Sequence, residues 1–180
     1  KVARISATSF VSDDGLVNVE RMTKLSGKIH DKGAQILSGF LHGLLARDQP
    51  LGLSAQVCFE QSYGEVEGDS ATCGELVAVI SAMADIPVLQ SIAVTGSLNQ
   101  YGEVQPIGGV NEKIEGFWQC CKLLGGRGPY SILIPEQNIV NLMLAQTTRD
   151  AIDAGKLKVY PVKHFWQVWA LMTEVPLGAK

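Results

Sequence analysis

Polar and apolar positions alternate from the first residues of the chain. Val2 to Ser9 reads as a strand, Ser12 to Gly15 as a turn, and Leu16 to about Met22 as a second strand, which together predict a β-hairpin. The period then changes. Ile36, Leu37, Phe40, Leu44 and Leu45 recur at helical spacing within Asp31 to Arg47, and Pro50 closes that segment. Alternation returns over Leu51 to Phe59, followed by a loop, Gln61 to Asp69, that holds Gly64 and Gly68 and no large aliphatic residue besides Val66. An apolar stripe of Leu76, Val77, Val79, Ile80 and Met83 then predicts a helix ending before Pro87, which puts Ser70 at a helix start.

A second hairpin is expected from the strand Ser91 to Leu98, the turn Asn99 to Gly102 and the strand Glu103 to Ile107, and Gly108-Gly109 ends it. Asn111 to Leu124 restores helical spacing through Ile114, Phe117, Cys121 and Leu124. Beyond the Gly-rich run Gly125 to Gly128 come a strand Ser131 to Ile134, helical stretches within Gln137 to Ala154, a strand Lys156 to Pro161 and a closing helix from about His164 to Met172. The pattern is a mixed α/β chain without internal repeats, read as one domain over residues 1–180.

Composition narrows the function classes. With 15 Lys+Arg against 18 Asp+Glu the net charge is −3, and no basic run or face is present, which disfavours a binder that tracks a nucleic-acid backbone. No stretch reaches the roughly 18 consecutive apolar residues of a membrane span. The start at Lys1 has neither a methionine nor the pattern of a signal peptide, and is expected to mark a piece of a longer polypeptide. Four cysteines, Cys58, Cys73, Cys120 and Cys121, form no C-x-x-C and meet only three scattered histidines, so they are read as buried free thiols in a reducing compartment, the cytoplasm, rather than as a disulfide or zinc framework.

Candidate chemistry centres on Ser70, in Glu67-Gly68-Asp69-Ser70-Ala71. A serine at a helix start commonly serves as an N-cap. The same place also exposes a hydroxyl beside unpaired N–H groups at the positive end of the helix dipole, where an oxyanion can be held. The missing part is a base. His30, His42 and His164 lie in no motif that makes any of them one. Lys113, in Pro106-Ile107-Gly108-Gly109-Val110-Asn111-Glu112-Lys113, is either a solvated lysine in a first helical turn or, if desolvated, a neutral amine able to take the serine proton.

The G-D-S-A motif, followed 43 residues later by the lysine of P-I-G-G-V-x-E-K, resembles the proteolytic domain of Lon-type ATP-dependent proteases. The likeness extends through Gln61-Ser62-Tyr63, Ala93 to Ser97, Gly102-Glu103-Val104 and Leu133 to Glu136. The Glu-Gly-Asp-Ser-Ala form is closer to the archaeal-type branch and its bacterial relatives than to the common bacterial Gly-Pro-Ser-Ala form. The resemblance implies a ribosomal-protein-S5-domain-2-like architecture and a serine endopeptidase with Ser70 as nucleophile and Lys113 as general base. It further implies Thr95 hydrogen-bonded to the lysine amine, Glu67 as an acid able to pair with that lysine, and the backbone N–H groups around Asp69 and Ser70 as the oxyanion site. The chain contains no G-x-x-x-x-G-K-[ST] loop, so no cofactor is expected in this domain; ATP and magnesium belong to an AAA+ unfoldase module outside it. The implied partners are unfolded or damaged protein substrates and further copies in a ring, usually a hexamer. The competing expectation is a catalytically silent Lon-like module for oligomerisation or DNA handling. An RNA-binding domain of ribosomal-protein type fits the acidic balance less well.

Overall fold

The apolar stripe predicted after Ser70 forms helix α3 (Thr72–Ala84), and its burial organises the molecule. Cys73, Leu76, Val77, Val79 and Ile80 are all buried, because α3 is covered by two separate sheets. The computed structural model that shows this describes residues 2–50, 52–125 and 128–175; Lys1, Leu51 and the centre of the predicted Gly125 to Gly128 run lie outside the described residues.

The first sheet has the order β1-β3-β2, from β1 (Arg4–Val11), β2 (Leu16–Asn18) and β3 (Leu53–Glu60). β1 runs antiparallel to β3, with Arg4 opposite Glu60, and β2 runs parallel to it, with Leu16 opposite Ala55. The expected hairpin therefore does not form: β1 and β2 lie on opposite edges of β3. Buried Ser54 explains the crossing, since its Oγ accepts from Gly15 N (2.9 Å) and donates to the Ser12 carbonyl (3.0 Å), tying the turn to β3 instead of closing it on β1. The predicted second strand is also cut short. Asn18 accepts from Arg21 N (3.0 Å) and so caps a short helix, α1 (Val19–Met22). The next helix, α2 (Lys28–Leu45), lies three residues earlier at its start than the spacing suggested.

The second sheet is all parallel, in the order β4-β7-β8, from β4 (Ile92–Val94), β7 (Tyr130–Pro135) and β8 (Leu157–Val162). Alternate residues of this sheet feed two cores. Leu133 and Val162 join α3 and α6 (Phe165–Thr173), whose Phe165, Val168 and Trp169 are fully buried. Ile132, Ile134 and Leu157 face the other way, onto α4 (Val110–Leu123) and α5 (Gln146–Asp153). Helices on both faces of a parallel sheet are the usual α/β arrangement. The stretch after β7 begins as a 3-10 turn, Glu136–Asn141, rather than as an α-helix.

The predicted strand Ser91 to Leu98 breaks at Thr95-Gly96. β4 ends in the parallel sheet, and β5 (Ser97–Leu98) starts a two-stranded hairpin with β6 (Val104–Gln105), Leu98 facing Val104. Gly96 allows the break: a Cβ there would lie 2.9 Å from Val104 Cγ1 and 3.2 Å from Cys73 Sγ. That break sits at the candidate site.

Candidate active site

Ser70 sits one residue before the N-cap of α3, which is Ala71, and its hydroxyl caps nothing. The end of the helix is closed instead by the Asp69 carbonyl, which accepts from Thr72 N (3.1 Å) and Thr72 Oγ1 (3.0 Å). The hydroxyl is thus left for another partner. Lys113 Nζ donates to Ser70 Oγ at 2.9 Å. Lys113 stands in the first turn of α4, whose N-cap is Gly109 with φ of 67°, a left-handed conformation that favours glycine. Two residues 43 apart in sequence are brought together because α3 and α4 lie against opposite faces of the β4-β7-β8 sheet and both begin at the same end of it.

The Ser70 carbonyl is held twice, by Gly96 N at 2.8 Å and by Thr95 Oγ1 at 3.3 Å. Thr95 therefore bonds the backbone of the serine, not the lysine amine as the resemblance implied; its own N–H is anchored to Leu133 O in β7 (3.0 Å). Among the described residues the amides of Asp69 and Ser70 have no hydrogen-bond acceptor, so both are open.

Partial burial holds the Lys113 amine below the usual lysine range, and the negative charge of Asp69 pulls it back in the opposite direction. The acid that acts on Lys113 is thus Asp69, the residue next to the serine. Glu67, expected to pair with Lys113, turns the other way. Its carboxylate lies over Gly27, the N-cap of α2, where the helix dipole favours an anion, and a Cβ at Gly27 would collide with it. The loop reaches this position because Gly27 N donates to Val66 O (3.0 Å) and Val66 N to Leu25 O (2.8 Å).

None of the three histidines serves the serine. His42 Nδ1 meets its own helix at Ser38 O (2.7 Å), and His164 caps α6 while its Nε2 meets Tyr101 O (2.9 Å). His30 is fully buried beside Glu75. Among the described residues no cluster of His, Cys, Asp or Glu has the geometry to hold a metal ion. No described helix is long and apolar enough to cross a membrane. Neither Ser70 nor Lys113 lines the concavity of about 410 Å³ formed by Leu142, Met143, Leu144 and Arg149.

Sequence reasoning missed three residues that shape this site. Asn138, buried, accepts from Ile107 N (3.0 Å) and donates to Ile107 O (2.9 Å), pinning the segment that leads into α4 as a strand would. Gly33 of α2 lies flush on the serine turn, where a Cβ would come within 3.0 Å of Asp69 Cβ and Thr72 Cγ2. Gly96 falls inside the strand that alternation predicts over Ser91 to Leu98. A glycine interrupting a strand pattern was the one available signal.

The profile of the Lon protease (S16) C-terminal proteolytic domain matches residues 63–173, which contain Ser70, Thr95 and Lys113. The chain belongs to this family. It is 44% identical over 160 residues to a Lon protease homolog of Escherichia coli (strain K12), a match covering 89% of this chain and 27% of that protein. A Lon protease homolog of Haemophilus influenzae is 40% identical over 170 residues, covering 94% of this chain and 28% of the relative. The archaeal Lon protease of Archaeoglobus fulgidus is 41% identical over 116 residues, covering 64% and 17%. This Lon-family chain thus spans little more than a quarter of the length of its bacterial relatives.

Proposed function

We propose that the chain is the peptide-cleaving domain of an ATP-dependent Lon-type protease, in which Ser70 and Lys113 act as a catalytic dyad. The observation that carries this reading is the 2.9 Å contact between Lys113 Nζ and Ser70 Oγ. In its neutral form the amine accepts the hydroxyl proton, and Oγ attacks the carbonyl carbon of the scissile peptide. The open amides of Asp69 and Ser70 supply N–H donors for the oxyanion. Loss of bulk water around the amine favours the neutral base, while the Asp69 charge steadies the ammonium once the proton has moved. That ammonium then protonates the leaving amine and leaves an acyl-serine. A water, deprotonated by the same lysine, releases the second product and restores the hydroxyl.

The partners follow from the same reading. Unfolding and delivery of protein substrates fall to an AAA+ module with ATP and magnesium, and the peptidase sites line a closed, hexameric, cytoplasmic ring. Labelling with a serine-directed phosphonate tests the dyad: wild type is modified at Ser70 and the Ser70→Ala protein is not. Equal labelling or equal peptide turnover in the two proteins overturns the dyad, and a wild type that is neither labelled nor active favours the catalytically silent module.

A further inference from the structure

The polar cluster behind the serine turn has no part in the dyad chemistry. Asn18, Glu20, His30 and Glu75 are between 0% and 4% exposed, and they come from the end of β2, α1, α2 and the first turn of α3. The Asn18 side chain is oriented by its cap: its oxygen accepts from Arg21 N, so its amide nitrogen faces the cluster, 3.0 Å from Glu75 Oε1 and 3.3 Å from His30 Nε2. The Asn18 amide thus reaches both the Glu75 carboxyl and the His30 ring. Glu75 Oε1 and His30 Nε2 are 3.6 Å apart, and Glu75 Oε2 and His30 Nδ1 have no hydrogen-bond partner. Burying polar atoms without partners is costly, and an apolar pair of similar shape would avoid the cost.

The cluster lies on the path from α2 to the nucleophile. Glu75 belongs to the first turn of α3, and its N–H bonds the Ala71 carbonyl (3.0 Å), next to Ser70. On the neighbouring turn of α2 from His30, Gly33 presses on Asp69 and Thr72. We propose that His30 and Glu75, joined through the Asn18 amide, are positioning residues that hold α2 against the first turn of α3 and so keep Asp69 and Ser70 in place for Lys113. The groups facing Glu75 are Asn18 at the end of β2, Glu20 of α1 and His30 of α2, with the Cys58 thiol of β3 behind Glu20. None of these is a fixed cation. Burial first, and the Glu20 charge second, push the Glu75 carboxyl up to about 8, against the opposing Asn18 hydrogen bond. A carboxylate formed there faces Glu20 with no counter-charge, and the contact between the helices loosens.

The activity arm rests on the Ser70–Lys113 reading, whereas a second arm is independent of it. In the intact protein, hydrolysis of an unstructured peptide is followed against pH in wild type and Glu75→Gln, each normalised to its own maximum. The wild type is expected to fall beyond about pH 8 while the variant does not, a difference of about tenfold by pH 9. In parallel, hydrogen exchange of residues 66–72, corrected for intrinsic rates, is measured on the Ser70→Ala background. Exchange should accelerate over the same pH range, stay flat when Glu75→Gln is added, and leave α4 unaffected. His30→Leu should lower kcat with KM unchanged, and His30→Gln, whose oxygen accepts from Asn18, should recover most of it. Should Glu75→Gln fail to fold, the exchange of 66–72 against pH on Ser70→Ala alone decides. Flat exchange, or superimposable pH profiles, overturns the positioning role. A Ser70→Ala protein that still turns over peptide overturns the dyad and leaves the exchange result standing.

Discussion

At the scale of single residues, the site separates two properties of Lys113 that act in opposite directions. Burial makes the amine a better base, and Asp69 makes it a poorer one. In Glu75→Gln, where the fall beyond about pH 8 is absent, activity should therefore rise with pH as Lys113 loses its proton, with the midpoint below the ordinary lysine value of about 10.4. Asp69→Asn removes the charge that raises the amine, so the ascending limb should move to lower pH, which a peptide-hydrolysis profile reads directly. Lys113→Arg should be inactive, with a loss of at least about a thousandfold in kcat, since a guanidinium keeps its proton. An active arginine variant would disprove the lysine's role as base. Both catalytic candidates were legible in the sequence because each sits in a distinctive local motif. The direction of Glu67 was not, since it depends on where α2 begins, and neither was the Thr95 contact, which depends on the break in β4.

Elements impose their own constraints, and α2 shows how one substitution changes sign along a helix. Gly43 is exposed and a Cβ there meets nothing within 4 Å, so Gly43→Ala should stabilise by about 0.5–1 kcal/mol. Gly33→Ala gains the same helix propensity but must displace Asp69 and Thr72, at about 1–3 kcal/mol, and should slow catalysis. Thermal melts of the two variants check the signs. Asn138→Ala strands both polar groups of Ile107, and should cost about 1–3 kcal/mol and reduce kcat. Periodicity found α2 to α6 and the β5–β6 hairpin, because buried faces impose it, but read α1 as strand. It placed β2 wrongly, because the partner of a short edge strand is chosen by a distant turn contact through Ser54 and not by neighbours in sequence. The same limit hid the buried polar cluster: His30 and Glu75 each look like surface residues of a helix until β2 and α1 cover them.

On the scale of the molecule, the 61–69 segment carries only the Ser26–Val66 bridge as β-structure, and Tyr63 in it is 79% exposed. Hydrogen exchange there should be faster than in α3, whose apolar face is enclosed. The 180 residues alone should cleave short unstructured peptides slowly at best and leave folded proteins intact with or without ATP, as gel assays would read out. Ser70 and Lys113 also belong to different cores, the first anchored through α3 to the core it shares with α6 and the second through Val110 and Ile114 to the core on the other face of the sheet. Their hydrogen bond spans the boundary between two cores packed on opposite faces of one sheet. A slip of about half an ångström between those cores would take the 2.9 Å contact past ordinary hydrogen-bond reach. On the proposed reading the Ser70–Lys113 pair is a gauge, closing only when both faces of the sheet are correctly packed, and a force that shears α3 against α4 would switch the chemistry off without unfolding either.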